Sequence, residues 1–277
     1  MLAIALALGA SLSWGLGDFL GGLKSRTLHV LTVLAISQAV GFGAVLIWLS
    51  VSGDGFPGWT PAAYAAVAGA GGCLGLGALY RGMAVGAMGI VAPVSAVSAA
   101  IPFTVGVASG ERPGLLQVAG ILLALAGVAL ASREPGDQGG GRAAGVGLAL
   151  VAALGFGLYF VFLDRAAEES VPYAVATARG VSSLLALAVA IAVGAALRPA
   201  AAALPTLVAV GLCDVAANVL FGLASTRGFL SVVSVLSALY PIVTVGLAAL
   251  LLHERIAPTQ RLGVAAALVG AALITAG

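Results

Sequence analysis

The sequence predicts an all-α, polytopic membrane protein, and three observations carry the prediction. Of its 277 residues, 61% are hydrophobic and only 8% are charged. Its mean hydropathy is +1.17. An average soluble domain carries about 25% charged residues, so this chain lacks the polar surface of a soluble globule. The third observation is that its apolar residues lie in long runs separated by short polar turns.

Ten apolar runs are long enough to cross a bilayer, which takes roughly 20 residues of helix. Short alternating strands, typical of a β-barrel, do not occur. The first run has no basic stretch before it, so we expect a retained helix rather than a cleaved signal peptide. The fourth run could bend at Pro93 and Pro102. The predicted segments are 2–22, 29–51, 62–80, 87–109, 115–131, 145–163, 173–197, 204–225, 229–252 and 260–276.

A polar stretch rich in glycine and proline divides these segments into five and five. Such composition is typical of a flexible linker. We therefore predict a first five-helix repeat over 1–131, a linker over 132–144 and a second five-helix repeat over 145–277.

The two halves share an ordered series of residues at offsets of 140 to 143. Gly120 and Gly127 match Gly263 and Gly270, and Thr104-Val105-Gly106 matches Thr244-Val245-Gly246. Because each repeat has an odd number of helices, the second repeat must enter the membrane from the opposite side to the first. The pattern therefore predicts inverted repeats, which in secondary transporters hold the substrate between them.

The whole chain resembles the EamA-like family of the drug/metabolite transporter (DMT) superfamily. The matching features are the five-plus-five segments, Trp14-Gly15, prolines in segments four and nine, and the pairs Glu111-Arg112 and Glu254-Arg255. The resemblance implies efflux or exchange of small metabolites without ATP. A Gly-x-x-x-x-Gly-Lys-[Ser/Thr] nucleotide loop is absent from the sequence, in agreement with that expectation.

Basic residues are unequally divided between the predicted loops. Eight lie on the side opposite the termini and three on the side of the termini. The positive-inside rule then places both termini outside the cell, whereas the resemblance implies both inside. We therefore predict only that the two termini share one side of a bacterial-type inner membrane.

Ionisable residues inside a membrane segment are costly and therefore candidates for function. Asp18, Arg179 and Asp214 qualify by position, and Arg81 lies at the end of segment three. Asp214 shares a helix face with Asn218, four residues on. These two could bind a substrate or hold a proton, or Asp214 could form a structural ion pair with Arg179 or Arg81.

Trp14 shares a face with Asp18 in the same way. The ring could stack on an apolar substrate while the carboxyl group titrates, although Asp18 could instead lie near the membrane interface. Tyr80 and Tyr240 could line a pore with their hydroxyl groups or be buried aromatics.

Pro93, Pro102 and Pro241 could act as hinges or be packing kinks. For Glu111 and Glu254, the resemblance implies a structural or gating role. Glycine pairs such as Gly71 and Gly75 permit close helix packing, in a monomer or a homodimer. The spacing of His, Cys, Asp and Glu indicates no metal site, catalytic group or cofactor.

Together these features predict a secondary transporter with a central cavity between inverted halves. Its expected partners are a small metabolite, a coupling proton and the lipid bilayer, with no nucleic acid, because a net charge of +2 provides no basic patch. A polytopic enzyme would need clustered polar residues in its loops, and a membrane scaffold would normally carry a soluble domain, so both are weaker alternatives.

Overall fold

The structure, a computed structural model, describes residues 1–86, 88–131, 140–252 and 257–276. In these ranges every regular element is helical and there is no strand, which confirms the all-α prediction. The α-helices, numbered α1 to α12 in chain order, are Leu2–Ser25, Val30–Ser52, Trp59–Val85, Met88–Ser95, Ala100–Ala108, Leu115–Ala131, Gly140–Ala167, Val171–Ala192, Leu204–Ser225, Leu230–Ser237, Tyr240–Leu251 and Pro258–Ala276.

In the described part of the chain, seven spans are long and apolar enough to cross a membrane. Shorter apolar helices, Ala96–Ala108, Leu115–Gly127 and Arg261–Ile274, occupy the places of the other three predicted segments. A chain with this many apolar helices is a multi-pass membrane protein. Ten crossings remain a prediction.

Most helices match the predicted segments, with ends that differ by a few residues. Helix α9 matches its segment at both ends, whereas α3 extends beyond its segment at both ends. Helix α7 begins at Gly140, five residues before its segment and inside the predicted linker. Residues 132–139 of that linker lie outside the described residues.

Segments four and nine are both interrupted at corresponding places. Between α4 and α5 the backbone tightens into a 3₁₀ turn over Ala96–Ala99. Between α10 and α11, residues 238–239 form a turn. Pro102 and Pro241 lie in the first turn of α5 and α11, where a missing N–H costs least. Pro93 lies inside α4, so the interruption falls between the two prolines at which bends were predicted.

Helices from the two halves pack against each other in antiparallel pairs. In α6 and α12, a Cβ built at Gly120 would lie 2.6 Å from the carbonyl oxygen of Gly270. A Cβ at Gly127 would lie 2.6 Å from that of Gly263. Only glycine allows backbones to approach so closely. Because rising numbers on one helix meet falling numbers on the other, these two helices run in opposite directions.

The same antiparallel arrangement holds for three other pairs, namely α1 with α9, α2 with α8 and α3 with α7. In the last pair, Gly71 packs on the backbone of Gly155 and Gly75 on the ring of Phe156. This glycine motif therefore allows α3 and α7 to pack closely within the chain.

Large apolar side chains also cover much of the outer surface. Leu184 is 69% exposed on α8, and Leu250 is 74% exposed on α11. In a chain of this composition, such side chains are suited to contact lipid. Polar side chains of the described helices are concentrated inside instead, where Asp18, Arg179 and Asp214 are all buried.

Candidate functional site

A cavity with about 530 Å³ of empty volume lies between the central helices. Its walls come from α1, α2, α3, α7, α8 and α9, and Tyr240 contributes from the start of α11. Gly69 and Gly72 of α3 and Ala178 of α8 also line it, so its volume exists partly because these positions lack large side chains. Six polar side chains line it: Asp18, Gln38, Arg179, Ser182, Asp214 and Asn218.

Asp214 is the most connected residue of the cavity. Its Oδ2 forms an ion pair with Nη1 of Arg179, at a distance of 2.6 Å. Its Oδ1 accepts the indole N–H of Trp14 at 3.1 Å and the amide N–H of Asn218 at 3.4 Å. Of the alternatives for its partner, the structure shows the ion pair with Arg179. A buried ion pair is tolerated only when both charges also find hydrogen bonds. Trp14 and Asn218 supply them to Asp214, and Gln38 accepts one from Arg179.

Gln38, from the middle of α2, connects the two charges. Its Nε2 lies 3.5 Å from Oδ2 of Asp214, at the limit of hydrogen bonding, while its Oε1 accepts hydrogen bonds from Arg179 and Ser182. Gln38 is only 1% exposed. Sequence reasoning missed it, because the polar candidates were chosen as ionisable residues or as residues one helical turn from them. A polar amide in the middle of an apolar segment was the available signal.

Asn218 is held on its other side by α7. The hydroxyl of Tyr159 donates to its Oδ1. With Oδ1 acting as acceptor, the amide N–H of Asn218 points to Asp214. One hydrogen-bond network therefore joins α1, α2, α7, α8 and α9, five of the helices around the cavity.

Asp18 lines the cavity without such partners. It is 5% exposed, and no hydrogen bond or ion pair joins it to another residue within the described ranges. Its electrostatic neighbour is the like-charged Asp214.

Aromatic rings form the rest of the wall. Trp14 packs edge-on against Phe160, with ring centroids 5.6 Å apart, and against Tyr159 at 6.4 Å. Phe156 and Tyr240 pack edge to face at 6.4 Å. The cavity therefore combines an apolar, aromatic lining with a few fixed polar groups, as binding sites for small molecules do.

Comparison with protein families decides what kind of molecule carries this cavity. The model of the EamA-like transporter family matches residues 1–133 and again residues 143–276. The chain belongs to the EamA-like transporter family. The resemblance drawn from the sequence is thereby confirmed, and the chain is a membrane protein of the drug/metabolite transporter type.

A solved structure shares the fold of this EamA-like protein. It is described only as the crystal structure of a protein, and it superimposes with a TM-score of 0.79 at 19% sequence identity. The match covers 99% of this chain and 98% of the other. No curated protein sequence matches the chain significantly.

Two predicted site residues lie away from the cavity of the EamA-like protein. Tyr80 is fully buried beneath Gly21, and within the part of the chain that the structure describes its hydroxyl has no hydrogen-bond partner. Arg81 is exposed at the surface. The prediction that Arg81 could serve as a counter-charge to Asp214 is not matched by this geometry, since Arg179 holds that place.

Tyr240 does reach the cavity. Its hydroxyl is hydrogen-bonded to that of Ser95, which links the broken segments of the two halves. Among the prolines, the described side chains of Pro102 and Pro241 are buried and lie outside the cavity lining.

Glu111 lies at the end of the bundle, away from the cavity. Its carboxylate accepts the backbone N–H groups of Leu230 and Ser231 at the start of α10. Glu254, the other residue expected to have a structural or gating role, lies outside the described residues.

Proposed function

We propose that this EamA-like protein is a secondary transporter that exports or exchanges a small, partly apolar metabolite by alternating access through the central cavity. The proposal includes two inverted five-helix repeats and residence in the inner cell membrane. The proposal rests on two features of the aromatic cavity wall: the buried ion pair of Arg179 with Asp214, and the carboxyl group of Asp18, which has no partner among the described residues. Charged groups inside a membrane bundle are expensive and are retained where they bind or move something.

Three features support the inverted repeat. The same family model matches each half of the chain. The pairs α2 with α8 and α6 with α12 join corresponding helices of the halves in antiparallel packing, as a twofold axis in the membrane plane requires. The interruptions after Ser95 and after Ser237 also fall at corresponding places. Broken helices at matching positions are typical of secondary transporters.

Each site residue has a proposed role. Asp18 holds a coupling proton or the charged group of a substrate. The pair of Arg179 and Asp214 ties α8 to α9, and its rearrangement accompanies the change of access. Asn218 and Trp14 hold Asp214 in place and present an amide and a ring to the substrate. Pro102 and Pro241 define the interruptions at which the broken segments pivot.

The test is transport in proteoliposomes without ATP. We would measure counterflow of a panel of labelled amines, amino acids and sugars into vesicles loaded with the same unlabelled compound. We expect wild-type protein to move at least one compound faster than protein-free vesicles, and Asp214→Asn to slow it at least tenfold. If the folded wild-type protein moves none of them, the transporter proposal fails.

Glu168→Gln provides the matched control, because it also converts an acid to an amide but lies in an exposed ion pair with Arg165. We expect it to transport as the wild type does. For proton coupling, Asp18→Asn should abolish uptake driven by a pH gradient. If Asp18→Asn instead takes up the compound as the wild type does, proton coupling is refuted, and the remaining proposal is an exchanger that is not coupled to protons.

A further inference from the structure

The cavity has one acidic side chain more than its basic ones can balance. Of its described lining residues, Asp18, Asp214 and Arg179 carry formal charges. Arg179 lies on Asp214, 2.6 Å away. An ionised Asp18 therefore leaves the cavity with an excess of one negative charge. In a low-dielectric interior, a charge of this kind needs a counter-ion.

Asp214 is not available to a ligand. Both of its oxygen atoms already accept from protein donors, namely Arg179, Trp14 and Asn218. A ligand could replace these donors only by leaving the Arg179 guanidinium without its partner. Such a replacement is strongly unfavourable, because it leaves an uncompensated buried charge.

Asp18 is available. Its side chain is more than nine-tenths buried, lies on the cavity wall and has no hydrogen bond or ion pair within the described part of the chain. A carboxylate offers only acceptors. The complementary ligand group is therefore a cation that donates hydrogen bonds, such as a protonated amine.

The rings beside Asp18 suit the same kind of ligand. Trp14 lies one helical turn before Asp18 on α1, and Phe160 packs against Trp14. Aromatic faces attract ammonium groups through the ring quadrupole. The rings also bury the apolar body that carries the amine.

We infer that the substrates of this transporter are organic monocations, in which a protonated amine binds Asp18 and an apolar or aromatic body packs against Trp14 and Phe160. This inference rests on the proposed transport function and specifies its substrate class. An anion would meet the unbalanced carboxylate. A zwitterion would need a second cationic partner for its carboxylate, and Arg179 is already paired.

The test compares four ligands of similar shape with the full-length protein in lipid nanodiscs near pH 7. The probes are 2-phenylethylamine, 3-phenylpropanoate, 2-phenylethanol and phenylalanine, and binding is measured by calorimetry. We expect the amine to bind at least tenfold more tightly than each of the others. Equal or tighter binding of the anion, the alcohol or the zwitterion would overturn the inference, and so would absence of amine binding.

Two variants locate the amine. Asp18→Asn should lower the affinity for 2-phenylethylamine at least tenfold and change the affinity for 2-phenylethanol less than twofold. Phe160→Leu, which removes a ring but keeps an apolar side chain, should lower the affinity for the amine severalfold. Asp18→Glu keeps the carboxylate and should retain amine binding, which separates loss of charge from loss of folding. Unchanged amine affinity in Asp18→Asn would overturn the inference.

The result is independent of the test of transport. Vesicles that carry other metabolites while the protein binds no amine would refute the substrate class and leave the transporter proposal intact. Amine binding with no flux of any compound would support the site and refute transport.

Discussion

The carboxylate of Glu111 caps the backbone of Leu230 across the bundle. Oε1 accepts the N–H of Leu230 at 2.7 Å, and Oε2 accepts that of Ser231 at 2.9 Å. These are the first two residues of α10, whose N–H groups have no partner inside the helix. Gly110, whose φ is +99°, turns the chain just before Glu111. The carboxylate of Glu111 lies over Gly106. A residue of the first half thus holds the broken segment of the second.

Glu111→Ala should therefore destabilise the protein. The variant loses two charge-assisted hydrogen bonds and the favourable interaction of an anion with a helix N-terminus, together about 1–3 kcal/mol. We expect the melting temperature in detergent, followed by circular dichroism, to fall by several degrees. Glu168→Gln is the surface control and should leave it unchanged. A melting temperature equal to the wild type would show that the cap contributes nothing.

The contact between α6 and α12 should tolerate no side chain at Gly127. A Cβ there would lie 2.5 Å from the backbone nitrogen of Ala267, so Gly127→Ala must push two helices apart, at about 1–3 kcal/mol. Gly43→Ala is the matched control, because nothing lies within 4 Å of its Cβ. We expect less folded Gly127→Ala on size-exclusion chromatography and normal yields of Gly43→Ala, and equal yields of the two would contradict the prediction.

Removing either charge of the buried pair should harm folding more than removing both. Asp214→Asn leaves Arg179 without a counter-charge, and Arg179→Gln does the reverse to Asp214, each at about 3–5 kcal/mol. The double variant keeps hydrogen-bonding amides at both places. We expect it to melt at a higher temperature than either single variant and to be inactive in counterflow. Additive effects of the two substitutions would mean that the pair is not energetically coupled.

Gln38 should matter as much as the charged residues beside it. In Gln38→Leu, Arg179 and Ser182 lose an acceptor, while Asp214 loses its longest contact. We expect counterflow to fall at least tenfold, because the orientation of Arg179 is no longer fixed. Ser182→Ala removes a single donor and should have a smaller effect. If both variants transport like the wild type, the contact of Gln38 with the ion pair does not contribute to transport.

Two of the buried tyrosines, Tyr80 and Tyr240, should behave differently. The hydroxyl of Tyr80 has no hydrogen-bond partner among the described residues, so Tyr80→Phe removes an unsatisfied polar group and should keep or raise stability. Tyr240→Phe breaks the bond to Ser95 and should lower the melting temperature by a few degrees. Transport by Tyr80→Phe should match the wild type, and a large loss would indicate that its hydroxyl serves the pathway.

Local sequence predicts single helices well and fails where segments are interrupted. Helix α9 begins and ends at its predicted bounds, 204–225, because an apolar run between polar turns leaves little choice in a membrane. The prolines correctly indicated irregularity in segments four and nine. The breaks themselves lie at Ala96–Ala99 and at 238–239, next to the hydrogen bond between Ser95 and Tyr240, a contact between the halves that local sequence does not show.

By itself, the sequence determined that this protein lies in a membrane and is helical, because a chain with 8% charge must satisfy its backbone groups internally in lipid, and its long apolar runs suit helices. Its motifs indicated the family, which the family model confirms. The sequence also reduced the ionisable candidates to a few. Only the tertiary structure decided that Trp14 and Gln38 meet Asp214, from 200 and 176 residues away, and that Asp18 meets no partner among the described residues. Periodicity tells which residues share one helix face, whereas close packing between helices decides which faces enclose a cavity.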